Sequence, residues 1–119
     1  MLSATLMFQQ QPDRELFNLP FLKRRHDTHY QVILDHTDKV IAELTIQGIS
    51  VIVEYSSDLL LEEYIIIHNI LSTLQTQSGA VIDDKKSFLG YLKNGAPAYI
   101  MTNWEHWINH LDNSMKNCL

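Results

Sequence analysis

The stretch YQVILDHTDKVIAELTIQGISVIVEYSSDLLLEEYIIIHNILSTLQT, residues 30–76, decides the fold. Two alternating runs flank Gln47-Gly48, and a two-residue loop there pairs Ile46 with Ile49. The same register pairs Leu44 with Val51, Ala42 with Val53 and Val40 with Tyr55, all apolar and all on one face. The other face receives Thr45 with Ser50, Glu43 with Ile52 and Ile41 with Glu54, which is mixed. A one-residue slip would destroy this sorting, so the register is strongly specified. Gly48 supplies the positive φ that such a turn needs. Upstream, a three-residue loop His36-Thr37-Asp38 pairs Leu34 with Val40, Val32 with Ala42 and Tyr30 with Leu44. The meander over residues 30–56 therefore has one apolar face that must be covered.

The cover is the next segment. Ser56, Ser57 and Asp58 are N-cap candidates, and an acid there favours the positive end of the helix dipole. From Leu59 to Leu74 most apolar residues share one broad arc at about 100° per residue, which predicts a helix over residues 58–76. Leu61 and Ile65 fall outside that arc, one turn apart, among Glu62, His68, Asn69 and Ser72. Contact with a terminal segment of the same chain is the simpler explanation of that patch. An oligomer contact, such as a homodimer, or a partner contact is the sharper one.

Length and composition bound the rest. The chain of 119 residues reads as one domain, residues 1–119, large enough for a real core. Its 45% hydrophobic content argues against disorder, and no apolar run reaches membrane-spanning length. Residues 1–11 lack the basic region and long apolar core of a signal peptide. Cys118 is the one cysteine and cannot form an internal disulfide, which fits a reducing cytoplasm.

The flanks are read element by element. Leu2, Ala4, Leu6 and Phe8 alternate with polar residues and suit an added strand, while Pro12-Asp13 opens a short helix through Asn18 that Pro20 stops. Lys23-Arg24-Arg25 is expected as a basic loop. Gln77-Ser78-Gly79 breaks the long helix. Asp83-Asp84 is expected to cap a short helix over residues 85–93, ended by Asn94-Gly95, and residues 98–101 form a short strand. Thr102 and Glu105 match a capping box opening a C-terminal helix, with Trp104, Ile108, Leu111 and Met115 on a stripe and Trp107 at its edge. The fold class is α+β: an antiparallel sheet of three to five strands with helices packed on one face.

Residues with catalytic chemistry are few and scattered. His106 and His110 lie one helical turn apart, but a third metal ligand is missing and the zinc-protease pattern needs Glu right after the first His. His26 and His29 precede the first meander strand, and Asp35 and His36 lie at its other end. Cys118 has no base ordered beside it, and Ser56, Ser57 and Ser87 read as caps or turns. A small nuclease-type enzyme could use His29, His36, Arg24 and Lys39 as acid, base and phosphate ligands, but nothing requires them to converge. Four scattered glycines make no phosphate-cradling loop. No metal, no cofactor and no enzymatic activity are expected.

Charge points to a protein partner. Nine basic against fourteen acidic residues give a net charge of −5, the wrong sign for nucleic acid. Asp35, Asp38, Glu43, Glu54, Asp58, Glu62 and Glu63 cluster in the meander and early helix, which suits a basic protein surface. Asp35, Asp38, Glu62 and Glu63 are the candidate contact residues, with Trp107 as the aromatic anchor; packing in the core is the simpler role for that ring. Inhibitors of nucleases have a physical reason to be acidic, and small bacterial immunity proteins share this size and charge, an analogy of composition and not of motif. Type III secretion chaperones, small and acidic with a strand meander and flanking helices, are the second analogy. Against it, residues 77–95 read as helix where a strand hairpin would be needed.

Overall fold

The computed structural model describes residues 2–34 and 38–109. In chain order the elements are β1 (Leu2–Met7), a 3-10 turn (Arg14–Phe17), β2 (Leu22–His26), β3 (His29–Ile33), β4 (Val40–Gln47) and β5 (Ser50–Tyr55). Then come α1 (Leu61–Ser78), β6 (Val81–Asp83), β7 (Gly90–Tyr91) and β8 (Pro97–Ala98). A second helix, α2, covers residues 104–109 of those described. Six strands form one sheet in the order β2-β3-β4-β5-β1-β6, and β7 and β8 form a separate hairpin. All strand pairings among the described residues are antiparallel. The class is α+β as expected, with six sheet strands where three to five were read.

From Ala42 to Ile46 and from Val51 to Tyr55 the sorting of faces holds, but the hairpin register is shifted by two. Ile46 pairs with Val51, Leu44 with Val53 and Ala42 with Tyr55, while Gln47 and Ser50 close the ladder. The loop is Gly48-Ile49, with Gly48 at φ 61 in its first position, where a type II′ turn wants glycine. A shift of two preserves parity, so each side chain keeps its face. Between β3 and β4, Tyr30–Leu44 and Val32–Ala42 pair as read, but a bulge then sets Val40 opposite Ile33 and not Leu34. That extra residue turns Ile41 inward, 2% exposed, and leaves Val40 at 42%.

The two strands not read from the sequence, β2 and β6, are the two edges of the sheet and carry weak apolar signals. Lys23-Arg24-Arg25 lies in β2, an edge strand and not a loop. An edge strand needs no continuous apolar face, and its charges discourage pairing with another chain. Arg25 Nε donates to Gln31 Oε1 at 2.7 Å and Gln31 Nε2 to Glu43 Oε1 at 3.1 Å, tying β2, β3 and β4 across the open face. β1 inserts between β5 and β6 and buries Ala4 and Leu6.

Ala4, Leu6, Tyr30, Val32, Ala42, Leu44, Val51, Val53 and Tyr55 form the inner face, and Tyr64, Ile67, Ile70, Leu71 and Leu74 of α1 cover it in one core. None of Ser3, Thr5, Glu43, Thr45, Ile52 and Glu54 on the opposite face is buried. α1 ends at Gly79, whose φ of 70 lets its N–H reach Gln75 O at 2.8 Å. No helix of the described residues is long and apolar enough to cross a membrane.

The segment after β6 is not helical. Asp84 does not cap a helix over residues 85–93; its carboxylate accepts from Met101 N–H at 3.1 Å, Thr102 N–H at 2.7 Å and the Thr102 hydroxyl at 3.0 Å. Thr102 is thereby drawn away from Glu105, and α2 begins from an Asn103 held at φ 60. The Ser87 hydroxyl donates to Asp84 O at 2.5 Å and accepts Ile100 N–H at 3.1 Å, completing a buried polar hinge beneath the β7–β8 hairpin.

Val51 has no solvent exposure and lies between the sheet and α1. Val51→Ala is expected to lower unfolding free energy by about 1–3 kcal/mol in urea titration. An unchanged midpoint would contradict the packing described.

Candidate functional site

Of the acidic candidates, Asp38, Glu62 and Glu63 lie where the β3–β4 connection, the β5–α1 link and the first turn of α1 come together. Lys39 Nζ lies 3.0 Å from Glu63 Oε2, joining the first of these segments to the helix. Glu63 Oε1 also accepts Leu60 N–H at 2.9 Å and so caps the helix. This replaces the expected cap by Ser56, Ser57 or Asp58; the Ser56 hydroxyl bonds Asp58 instead. The Tyr64 hydroxyl accepts Leu59 N–H and donates to Ser56 O, both at 3.3 Å, which steadies the link.

Glu63 is therefore a structural residue, 1% exposed, and its carboxylate is not offered to a partner. Burial alone would raise its pKa, but the Leu60 N–H and Lys39 outweigh it and hold the carboxyl below the usual range. Asp38, Asp58 and Glu62 are exposed around this junction. Two large apolar side chains are exposed there as well, Val40 at 42% and Leu60 at 59%. Asp38 takes φ 52, a left-handed conformation that Asp tolerates at a turn. Asp35 lies outside the described residues.

Trp107 is half-buried. Its ring stands 6.3 Å from Tyr64, edge-on, and 5.6 Å from Trp104. Ile65 is partly buried against the core, and Leu61 is partly exposed one turn before it.

The histidines are dispersed. His26 and His29 stack at 6.2 Å, and His29 Nε2 lies 3.6 Å from Glu43 Oε1. Arg24 is bonded to Asp27, and Lys39 stands beyond the opposite end of β3 from His29. His36, His110 and Cys118 lie outside the described residues. Among those described, no three His, Cys, Asp or Glu side chains are arranged to hold a metal ion. His106 is exposed and lines an open hollow with Leu92, Lys93, Asn94, Ala96 and Asn103.

Half-buried His68 and buried Tyr55 also have displaced pKa values. His68 stacks on Trp104 at 4.4 Å with Nδ1 2.7 Å from Ile100 O. Burial lowers its pKa, against the opposing pull of that carbonyl and of Glu105. Burial pushes the Tyr55 phenol well above its usual range. Its hydroxyl is the one buried side-chain polar atom without a hydrogen-bond partner among the described residues. Ser87 is its neighbour and pulls the phenol's pKa back down against that burial.

One surface cluster escaped the sequence reading. Phe88 and Tyr91 are 39% and 68% exposed, and the Phe88 ring meets Tyr91 at 5.0 Å and Tyr99 at 6.2 Å. The signal was the spacing of Lys85, Lys86, Phe88, Tyr91, Lys93 and Tyr99. Reading residues 85–93 as a helix hid it. No protein-family model, curated protein or solved structure matches this chain.

Two variants probe this site. Glu63→Ala removes the cap and the ion pair and is expected to cost about 1–3 kcal/mol in chemical denaturation, whereas Glu63→Gln keeps a cap acceptor and costs less. Equal and negligible losses would exclude the capping role. For His68, a folded pKa below the unfolded value of 6.5 means that the unfolded state binds more protons. Its contribution is present above that value and is lost as pH falls through the folded pKa. The melting temperature of the wild-type protein should drop between about pH 7.5 and about pH 5.5, and His68→Phe should flatten that drop. An equal drop in the variant would remove His68 as the cause. Glu63 acts in a separate window, its stabilisation being lost as pH falls below about 4.5.

Proposed function

We propose that this domain binds a basic surface of a partner protein and blocks it, in the manner of an immunity or inhibitor protein that neutralises a toxin such as a nuclease. The observation that carries the reading is the junction at Lys39–Glu63. It gathers Asp38, Asp58 and Glu62 around the exposed Leu60 and Val40 on a braced end of the domain. Exposed acids steer a basic partner and raise its rate of association, and the apolar residues among them supply surface that gains from losing water. Bracing lowers the ordering cost of binding. The reading fits a cytoplasmic protein whose lone Cys118 remains reduced.

Trp107 contributes to such a surface from below, through Tyr64, and Leu61 remains a contact candidate for a second copy. A second reading, a secretion-chaperone-like domain, is favoured by one observation. β6 and the β7–β8 hairpin stand where a helix was expected, and a strand hairpin is what that architecture needs there. An apolar hollow of about 220 Å³ between Leu19, Phe21, Ile66 and Ile70 would suit part of an extended client.

The test is capture of the partner from the native host, followed by association kinetics with both proteins purified. Raising salt should slow association, and the double reversal Asp58→Lys/Glu62→Lys should slow it by about tenfold and reduce its salt dependence. The same reversal should abolish neutralisation of the partner's activity. An acidic contact surface on the partner, or kinetics indifferent to salt and to the reversal, would refute the proposal.

A further inference from the structure

We propose that the β7–β8 hairpin carries a second docking surface, of opposite polarity, that takes an extended acidic segment of a protein partner. Its centre is the ring cluster of Phe88, Tyr91 and Tyr99, and its charge comes from Lys85, Lys86 and Lys93.

Charge segregation is the first argument. Residues 85–99 contain three lysines and no acid, in a chain whose net charge is −5. All three lysines are exposed. Asp84, adjacent to them in the chain, is buried and turned inward, its carboxylate taken by the Met101 and Thr102 N–H groups and the Thr102 hydroxyl. The basic character of the hairpin therefore reaches solvent, with the exposed Asp83, whose carboxylate accepts Lys85 N–H at 3.2 Å, at its start.

The rings are the second argument. Tyr91 is 68% exposed although it sits in a strand, and Phe88 meets it edge-on at 5.0 Å. Two exposed aromatics held against each other lose little freedom on binding and present large flat faces, which is why such residues dominate binding energy at interfaces. The hairpin is also supported from inside. Leu89 N–H donates to Ala98 O and Leu92 N–H to Ala96 O, both at 2.8 Å, and Ala98 and Ile100 beneath are fully buried. A hairpin of two residues per strand would not hold itself in water, so its rigidity derives from that support.

Exposed lysines on the same segment as an aromatic platform complement carboxylates interspersed with apolar side chains. A nucleic acid would present a denser line of negative charge to three lysines on a protein that repels it overall, so a carboxylate-bearing peptide is the better match. The proposal uses none of the acidic residues of the other end, and its failure would leave the reading given for that end intact.

The experiment uses the full chain and a fluorescently labelled soluble copolymer of glutamate and tyrosine as probe, followed by anisotropy. Saturable binding that weakens with salt is expected. Tyr91→Ala and the double variant Lys85→Glu/Lys86→Glu should each weaken it by about tenfold, while Lys23→Glu on the opposite sheet edge should leave it unchanged. Circular dichroism and melting temperature should be the same in all three, since every substituted side chain is exposed. Absence of saturable binding, or indifference to Tyr91→Ala, would overturn the proposal. So would tighter binding of oligo(dT) than of the copolymer, which would make the surface one for nucleic acid. Self-association in sedimentation, lost both in these variants and in Asp58→Lys/Glu62→Lys, would identify the acidic end of a second copy as the occupant and overturn it too.

Discussion

The inner face of the sheet has to be covered, and α1 is the element that covers it. Leu6, Leu44 and Val51 have no exposure and Val53 has 1%, each in one core with Ile67, Leu71 and Leu74 of the helix. Burying one such side chain is worth about 1.5–3 kcal/mol, comparable with a large share of a domain's net stability. The opposite face carries the polar set of each strand and contains no buried residue among Ser3, Thr5, Glu43, Thr45, Ile52 and Glu54. Polar connections and strand ends are consequently left to decide what the molecule presents to others.

The same packing sets where charge appears. α1 must begin close to the ends of β4 and β5, and that leaves a helix N-terminus beside two connections. Glu63 resolves the exposed backbone donors there by capping Leu60, and Lys39 compensates its buried charge. With Glu63 turned inward, Asp38, Asp58 and Glu62 remain outward around Leu60 and Val40. Asp84 plays a comparable part under the β7–β8 hairpin, where its inward carboxylate leaves the lysines to set the local sign. In both places one buried carboxylate organises backbone donors, and the charges around it become the surface.

Much of the architecture was legible in the chain because it rests on period-two alternation. The faces of β3, β4 and β5, the strand at residues 2–7 and the apolar arc of α1 follow from the order of side chains alone. Alternation fixes parity, however, and not absolute register. The pairing of Leu44 with Val53 in place of Val51 depended on which residue pair of the loop could turn, and Gly48 was usable in either position. β2 and β6 were illegible because edge strands bury little and so carry little pattern.

By itself the sequence determined an acidic α+β domain with one apolar sheet face, a covering helix and candidate acids between Asp35 and Glu63. Tertiary structure alone decided which of those acids are available. Glu62 and Glu63 are identical neighbours in the chain, yet a rotation of one residue around α1 sends one outward and buries the other against Lys39 and the Leu60 N–H. The same holds for the aromatics: Trp107 is drawn against Tyr64 and Trp104, while Tyr91 is left in solvent. Side-chain type sets what a residue can do, but burial and hydrogen bonding depend on segments distant in sequence, and only the packed chain brings those together.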